Sequence, residues 1–137
     1  MTKNTRRAQI IGTGLIGGSI ALALRSRGWH VTGRDVDARR SERALELGVL
    51  DAVGSDDAAE LAFVAVPARA LEDEIHNALS ETKGIVTDTG SVKTAVASNI
   101  DNPRFIPGHP MAGSEQEGVE GANQAIFEGA VWVLTPT

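Results

Sequence analysis

The feature that most constrains this chain is a run of glycines between a short apolar segment and a stretch with helical spacing. Residues 7–11, RAQII, predict a strand, and residues 15–28 predict a helix. Between them, Gly12, Gly14 and Gly17 have the spacing of a phosphate-binding turn. The first glycine permits a tight turn, the second lets the backbone approach a pyrophosphate, and the third lets helix and strand pack closely. The simpler alternative is that these glycines only make a tight turn.

The rest of the chain alternates between predicted strands and predicted helices. This order predicts βαβ units, so we expect one α/β domain over residues 1–137 with a Rossmann-type, doubly wound, mostly parallel sheet and helices on both faces. Further strands are predicted at 30–35, 60–67, 84–90, 104–108 and 130–136, and further helices at 36–48, 69–80, 91–99 and 118–129.

Composition excludes several classes of protein. The formal charge of −5 argues against a nucleic-acid partner, which usually meets a basic domain. The sequence has no cysteine, so it has neither a disulfide framework nor a thiolate metal site, and we expect no bound metal and a cytoplasmic location. The apolar N-terminal run resembles a secretory signal, but glycines interrupt it, and no stretch reaches the length of a membrane span.

An acidic residue follows the second predicted strand. Asp35 lies 23 residues after Gly12, close to the separation of about 20 residues at which such an acid binds the adenosine ribose. A carboxylate there repels a 2′-phosphate, so the sequence favours NAD over NADP. The nearby cations Arg34, Arg39 and Arg40 keep NADP open as an alternative.

One proline and two groups of polar residues follow three later strands, at the sheet edge where ligands of open α/β proteins bind. They are Pro67, then Asp88, Ser91 and Lys93 in TDTGSVK, then His109, Ser114 and Glu115 in GHPMAGSE. Each also has a structural interpretation. Ser91 is a possible helix N-cap, Ser114 with Glu117 fits a capping box, and His109 fits a loop residue bonded to a backbone carbonyl. Asp88 and Lys93 are expected to pair or to hold their loop.

Four segments together resemble one family closely. These segments, GTGLIGGSIALALR, TDTGSVK, GHPMAGSEQEGVEGA and FEGAVWVLTPT, are similar to the cofactor-binding domain of prephenate dehydrogenases, a family that includes arogenate and cyclohexadienyl dehydrogenases. The resemblance runs from about residue 7 to the end of the chain.

The resemblance implies an NAD(P)-dependent oxidative decarboxylation of prephenate or arogenate in tyrosine biosynthesis. It also implies that His109 accepts a hydrogen bond or proton from the substrate 4-hydroxyl, that Ser91 assists there, and that Ser114 and Glu115 line the substrate entrance. A neutral imidazole can accept such a proton at about pH 7. The residues expected at the cofactor are Gly12, Gly14, Leu15, Ile16, Gly17, Arg34, Asp35, Val66 and Pro67.

Members of this family continue into a helical domain that supplies a dimer interface and a substrate-binding arginine. We therefore expect a truncated chain or a naturally short relative, which binds the dinucleotide but turns over little substrate unassisted, and a homodimer in the full-length enzyme. Two alternatives remain: a dinucleotide-binding sensor without catalysis, and another Rossmann oxidoreductase such as a β-hydroxyacid dehydrogenase or an imine reductase.

Overall fold

A computed structural model describes residues 5–89, 100–110 and 132–134. Its elements alternate in the predicted manner. In chain order they are β1 (Arg7–Ile11), α1 (Leu15–Ser26), β2 (His30–Arg34), α2 (Ala38–Glu46), β3 (Ala52–Val53), β4 (Leu61–Val64), α3 (Ala68–Glu81), β5 (Ile85–Asp88), β6 (Phe105–Ile106), β7 (Gly108–Pro110) and β8 (Trp132–Leu134).

Six of the strands form one parallel sheet in the order β3-β2-β1-β4-β5-β6. The chain proceeds outward from β1 on one side and from β4 on the other, so the direction of winding reverses between these two strands. Ile11, at the end of β1, lies opposite both Arg34 of β2 and Val64 of β4. In open α/β sheets the crevice outside such a reversal is where ligands bind.

Successive residues of β1 face opposite sides of the sheet, and each side has its own core. Ile10 packs with Ile20 of α1 and Ala44 of α2. Ile11 packs instead in the cluster that contains Leu71 and Ile75 of α3. The prediction of a doubly wound sheet with helices on both faces is therefore confirmed.

The charged helix α2 begins as the sequence predicts. Asp37 is its N-cap, and the Asp37 side chain accepts a hydrogen bond from the Arg39 backbone N–H at 3.0 Å. By contrast, α1 has Gly14 at its N-cap and no side-chain cap. The two helices thus differ in whether their first N–H groups have a side-chain acceptor.

The main differences from the predicted elements concern β4, β3 and β7. Strand β4 ends at Val64, before the predicted end at Pro67, and the two-residue strand β3 was not predicted. His109 does not lie in a loop, because Gly108–Pro110 pairs antiparallel with Trp132–Leu134 and places His109 opposite Val133. The helices predicted at 91–99 and 118–129 lie outside the described residues. Among the helices that are described, none is long and apolar enough to cross a membrane.

Candidate nucleotide-binding site

The turn between β1 and α1 is closed by contacts that only glycine allows. Gly12 has a φ of +95°, and a Cβ atom there would overlap the Ala65 carbonyl oxygen that follows β4. A Cβ atom on Gly17 would overlap the Gly12 carbonyl oxygen. These two glycines therefore bring α1, β1 and the end of β4 into close contact.

Gly14 differs, because a Cβ atom there would meet nothing within 4 Å. Protein packing therefore does not require a glycine at this position. Gly14 lines a pocket at the carboxyl end of the sheet. Open space at the second glycine is what the close approach of a pyrophosphate requires. The N-cap Gly14 gives α1 no side-chain cap, so the N–H groups and positive dipole end of its first turn begin beside this pocket without a side-chain acceptor.

The pocket has a volume of about 370 Å³. Its walls come from the turn after β1, from the segment after β2 that leads into α2, and from the segment after β4 that leads into α3. The lining residues are Gly12, Gly14, Asp35, Val36, Asp37, Arg40, Ala65, Val66, Pro67, Arg69 and Ala70. Of the predicted cofactor contacts, Gly12, Gly14, Asp35, Val66 and Pro67 lie in this pocket, and Leu15, Ile16 and Gly17 form the first turn of α1.

Three hydrogen bonds fix the Asp35 carboxylate at the pocket. Its Oδ2 atom accepts from the Thr13 backbone N–H at 2.8 Å and from the Thr13 hydroxyl at 3.1 Å. Its Oδ1 atom accepts from the Asp37 backbone N–H at 3.0 Å. The acid that the sequence predicts after β2 therefore lies beside the glycine turn, in an orientation set by two backbone N–H groups and the Thr13 hydroxyl.

Arg34, the neighbour of Asp35, has its guanidinium group in ion pairs on the α3 side of the sheet. It donates to Glu74 at 3.0 Å and to Glu81 at 3.0 Å. The contact of Arg34 with the cofactor stays a prediction. In the structure, the Arg34 side chain bridges β2 and α3.

The cations that line the pocket are Arg40 and Arg69, of which Arg69 had no predicted role. The position of Arg69 two residues after Pro67 is the sequence signal that could have identified it.

Glu74 provides a test of this bridge. Burial by itself would raise the pKa of the Glu74 carboxyl, but hydrogen bonds from Arg34 and Asn77 and the charge of Arg34 outweigh it, so the pKa lies below its ordinary value. The folded protein then binds fewer protons here than the unfolded chain. The stabilisation is therefore complete above the unfolded pKa of about 4.3 and is lost as the pH falls through the folded pKa.

We expect Glu74→Gln to lower the free energy of unfolding by about 1 kcal/mol at neutral pH. The variant should also flatten the fall in stability with acid, as measured by urea unfolding over a pH series. Glu42→Gln, on an exposed part of α2, is the matched control and should leave the pH profile unchanged. A pH profile of Glu74→Gln that follows the wild type would contradict the role of the bridge.

The second predicted cluster is only partly described. Asp88 ends β5 with its side chain fully buried, and its Oδ1 atom accepts a hydrogen bond from the Gly108 backbone N–H at 3.2 Å. This contact joins the end of β5 to the start of β7, the strand that contains His109. The predicted roles of Ser91, Lys93, Ser114 and Glu115 concern positions outside the described residues. The roles of Ser91 and of His109 as catalytic residues stay predictions.

The parallel sheet, the glycine turn and the acid after β2 together define a Rossmann-type nucleotide-binding domain. The family model of the prephenate dehydrogenase nucleotide-binding domain matches residues 20–137. The chain therefore belongs to the prephenate dehydrogenase family, as the sequence motifs predict.

Three relatives illustrate the match. Prephenate dehydrogenase of Bacillus subtilis strain 168 is 37% identical over 93% of this chain and 38% of its own length. The crystal structure of Synechocystis arogenate dehydrogenase superposes with a TM-score of 0.86 at 35% identity, over 96% of this chain and 50% of that one. Prephenate dehydrogenase from Aquifex aeolicus, solved with hydroxyphenyl propionate and NAD+, gives a TM-score of 0.84 at 28% identity, over 100% of this chain and 52% of that one. The chain thus spans about half or less of the length of these relatives.

Proposed function

We propose that this chain is the cofactor-binding part of an NAD-dependent dehydrogenase that oxidises and decarboxylates prephenate or arogenate. The observation that carries the proposal is the Asp35 carboxylate, held beside the glycine turn at the edge of the pocket. Membership in the prephenate dehydrogenase family supports the reaction class, and the NAD+ bound to the Aquifex aeolicus relative supports the cofactor. The place of the reaction in tyrosine biosynthesis is part of the same proposal.

The described residues fit a dinucleotide in three respects. Gly14 leaves room for the pyrophosphate, and the first turn of α1 offers its N–H groups to it. Asp35 would accept hydrogen bonds from the adenosine ribose hydroxyls. Val66 and Pro67 give the lining of the pocket an apolar part.

The proposed chemistry removes a hydride and a proton from the ring carbinol of the substrate, and CO2 leaves as the ring becomes aromatic. NAD, when bound, accepts the hydride. His109 would accept the proton of the substrate hydroxyl while the hydride is removed. General-base catalysis of this kind raises the reaction rate by about 10²–10⁴-fold. Ser91 would assist at the same hydroxyl, and Ser114 and Glu115 would line the substrate entrance.

The strand that carries His109 has two backbone anchors that suit this role. Gly108 donates to the buried Asp88, and His109 lies opposite Val133 in the β7–β8 pair. A base has to be held within hydrogen-bond reach of the proton it removes. The homodimer, the cytoplasmic location and the lack of a nucleic-acid partner stay predictions from the sequence.

The proposed cofactor is tested by calorimetric titration of this chain with NAD and with NADP. We expect tighter binding of NAD, because Asp35 accepts bonds from a free 2′-hydroxyl and repels a 2′-phosphate. Asp35→Asn should reduce this preference, whereas Asp57→Asn, on an exposed loop, should keep it. Tighter binding of NADP by the wild type would contradict the role given to Asp35.

A further inference from the structure

Thr13 is a buried polar residue between the first two glycines of the turn. Its side chain is β-branched and carries a hydroxyl, and only 1% of the residue is exposed. A buried hydroxyl costs free energy unless it forms a hydrogen bond. Here the partner of the hydroxyl is the Asp35 carboxylate, at 3.1 Å.

Both donors of Thr13 converge on a single oxygen atom. The backbone N–H and the hydroxyl reach Asp35 Oδ2 at 2.8 and 3.1 Å, and the Asp37 N–H reaches Oδ1 at 3.0 Å. A carboxylate has about four acceptor sites, so these three donors leave acceptor capacity on Oδ1. With donors on both oxygen atoms, the carboxylate plane cannot rotate freely.

We propose that Thr13 is a positioning residue that sets the preference of this site for NAD over NADP. By fixing Oδ2, the Thr13 hydroxyl keeps Oδ1 available to the adenosine ribose and keeps the negative charge where a 2′-phosphate would lie. A less constrained carboxylate can turn aside, and Arg40 in the same pocket then attracts a phosphate. This inference rests on the proposed function, because it takes for granted that the pocket binds a dinucleotide.

The decisive quantity is the ratio of the NADP and NAD dissociation constants, measured by calorimetry on this chain and its variants. Thr13→Val keeps the backbone N–H and the branched shape but removes the hydroxyl. We expect it to weaken NAD binding by about tenfold. NADP binding should stay the same or tighten, so the ratio should fall by at least about tenfold. Thr13→Ser restores the hydroxyl and should return the ratio to within about threefold of wild type.

Two further variants keep the test decisive. Thr82→Val removes another buried hydroxyl, which donates to the Ala78 carbonyl at the end of α3, and should leave the ratio unchanged. Thr13→Ala lacks the hydroxyl without adding a methyl group to the turn. It replaces Thr13→Val if that variant unfolds, and the same result is expected of it.

Three results would overturn the inference. An equal loss of affinity for both nucleotides in Thr13→Val would mean that Thr13 only supports the turn. Unchanged affinities for both would mean that the hydroxyl has no role at the site. A wild-type chain that binds neither nucleotide would overturn the proposed function as well, and this result is recognised before any substitution is made.

Discussion

Gly17→Ala is expected to destabilise the fold by about 3 kcal/mol or more, with loss of nucleotide binding. The added methyl group would overlap the Gly12 carbonyl oxygen, which is backbone and cannot turn aside as a side chain can. The turn can accept it only if α1 moves away from β1, and this movement would disturb the contact of Ile10 with Ile20 across the same interface. Denaturant unfolding monitored by circular dichroism measures the loss.

Gly14→Ala is the matched control, since both glycines belong to the same turn. A Cβ atom at Gly14 meets no protein atom within 4 Å, and the φ there is −81°. This variant should keep nearly all of its stability and lose affinity for the dinucleotide, because its methyl group projects into the space of the ligand. Equal stabilities for the two variants would contradict the packing role given to Gly17.

His109→Asn should lower the rate of prephenate oxidation by about a hundredfold, with the affinity for NAD little changed. Asparagine can still form a hydrogen bond, but it cannot take up the proton that leaves the substrate hydroxyl. The measurement is the rate of appearance of reduced nicotinamide at saturating substrate, in the enzyme with its whole catalytic pocket.

His76→Asn is the control, because His76 lies on the exposed side of α3. Its turnover should match the wild type. An unaltered rate in His109→Asn would remove His109 from the mechanism. A matching loss of NAD affinity would show instead that the substitution disturbs the cofactor site through the strand β7.

The agreement between sequence and structure is closest where local interactions dominate. Gly12 and Gly17 were assigned a tight turn and close helix–strand packing from their spacing between a predicted strand and a predicted helix. The structure gives Gly12 a φ of +95° and brings the Gly12 carbonyl oxygen against Gly17. The Asp37 N-cap could be predicted from the preference of short acidic side chains for the start of a helix, and the structure confirms it. Asp35 was located by its distance along the chain from Gly12, because one helix separates β1 from β2.

The sequence is less informative where partners are far apart in the chain. The contact of Arg34 with the cofactor stays a prediction, but the ion pairs of its guanidinium with acids 40 and 47 residues away have no local sequence signal. The strand β7 was read as a loop because its partner, β8, follows a long intervening segment and its three residues show no alternating pattern. The strand β3 has two residues, too few to give a periodic signal.

The sequence by itself determined the alternation of strands and helices, the glycine turn, the acid after the second strand and the family. These depend on the conformational preferences of residues near one another in the chain, which short segments already express. Only the tertiary structure decided that Ala65 closes the turn over Gly12, that Thr13 holds Asp35, and that Arg34 bridges to α3. Each of these contacts joins segments that meet only once the sheet has formed, so its energy depends on distances and burial that no local pattern specifies.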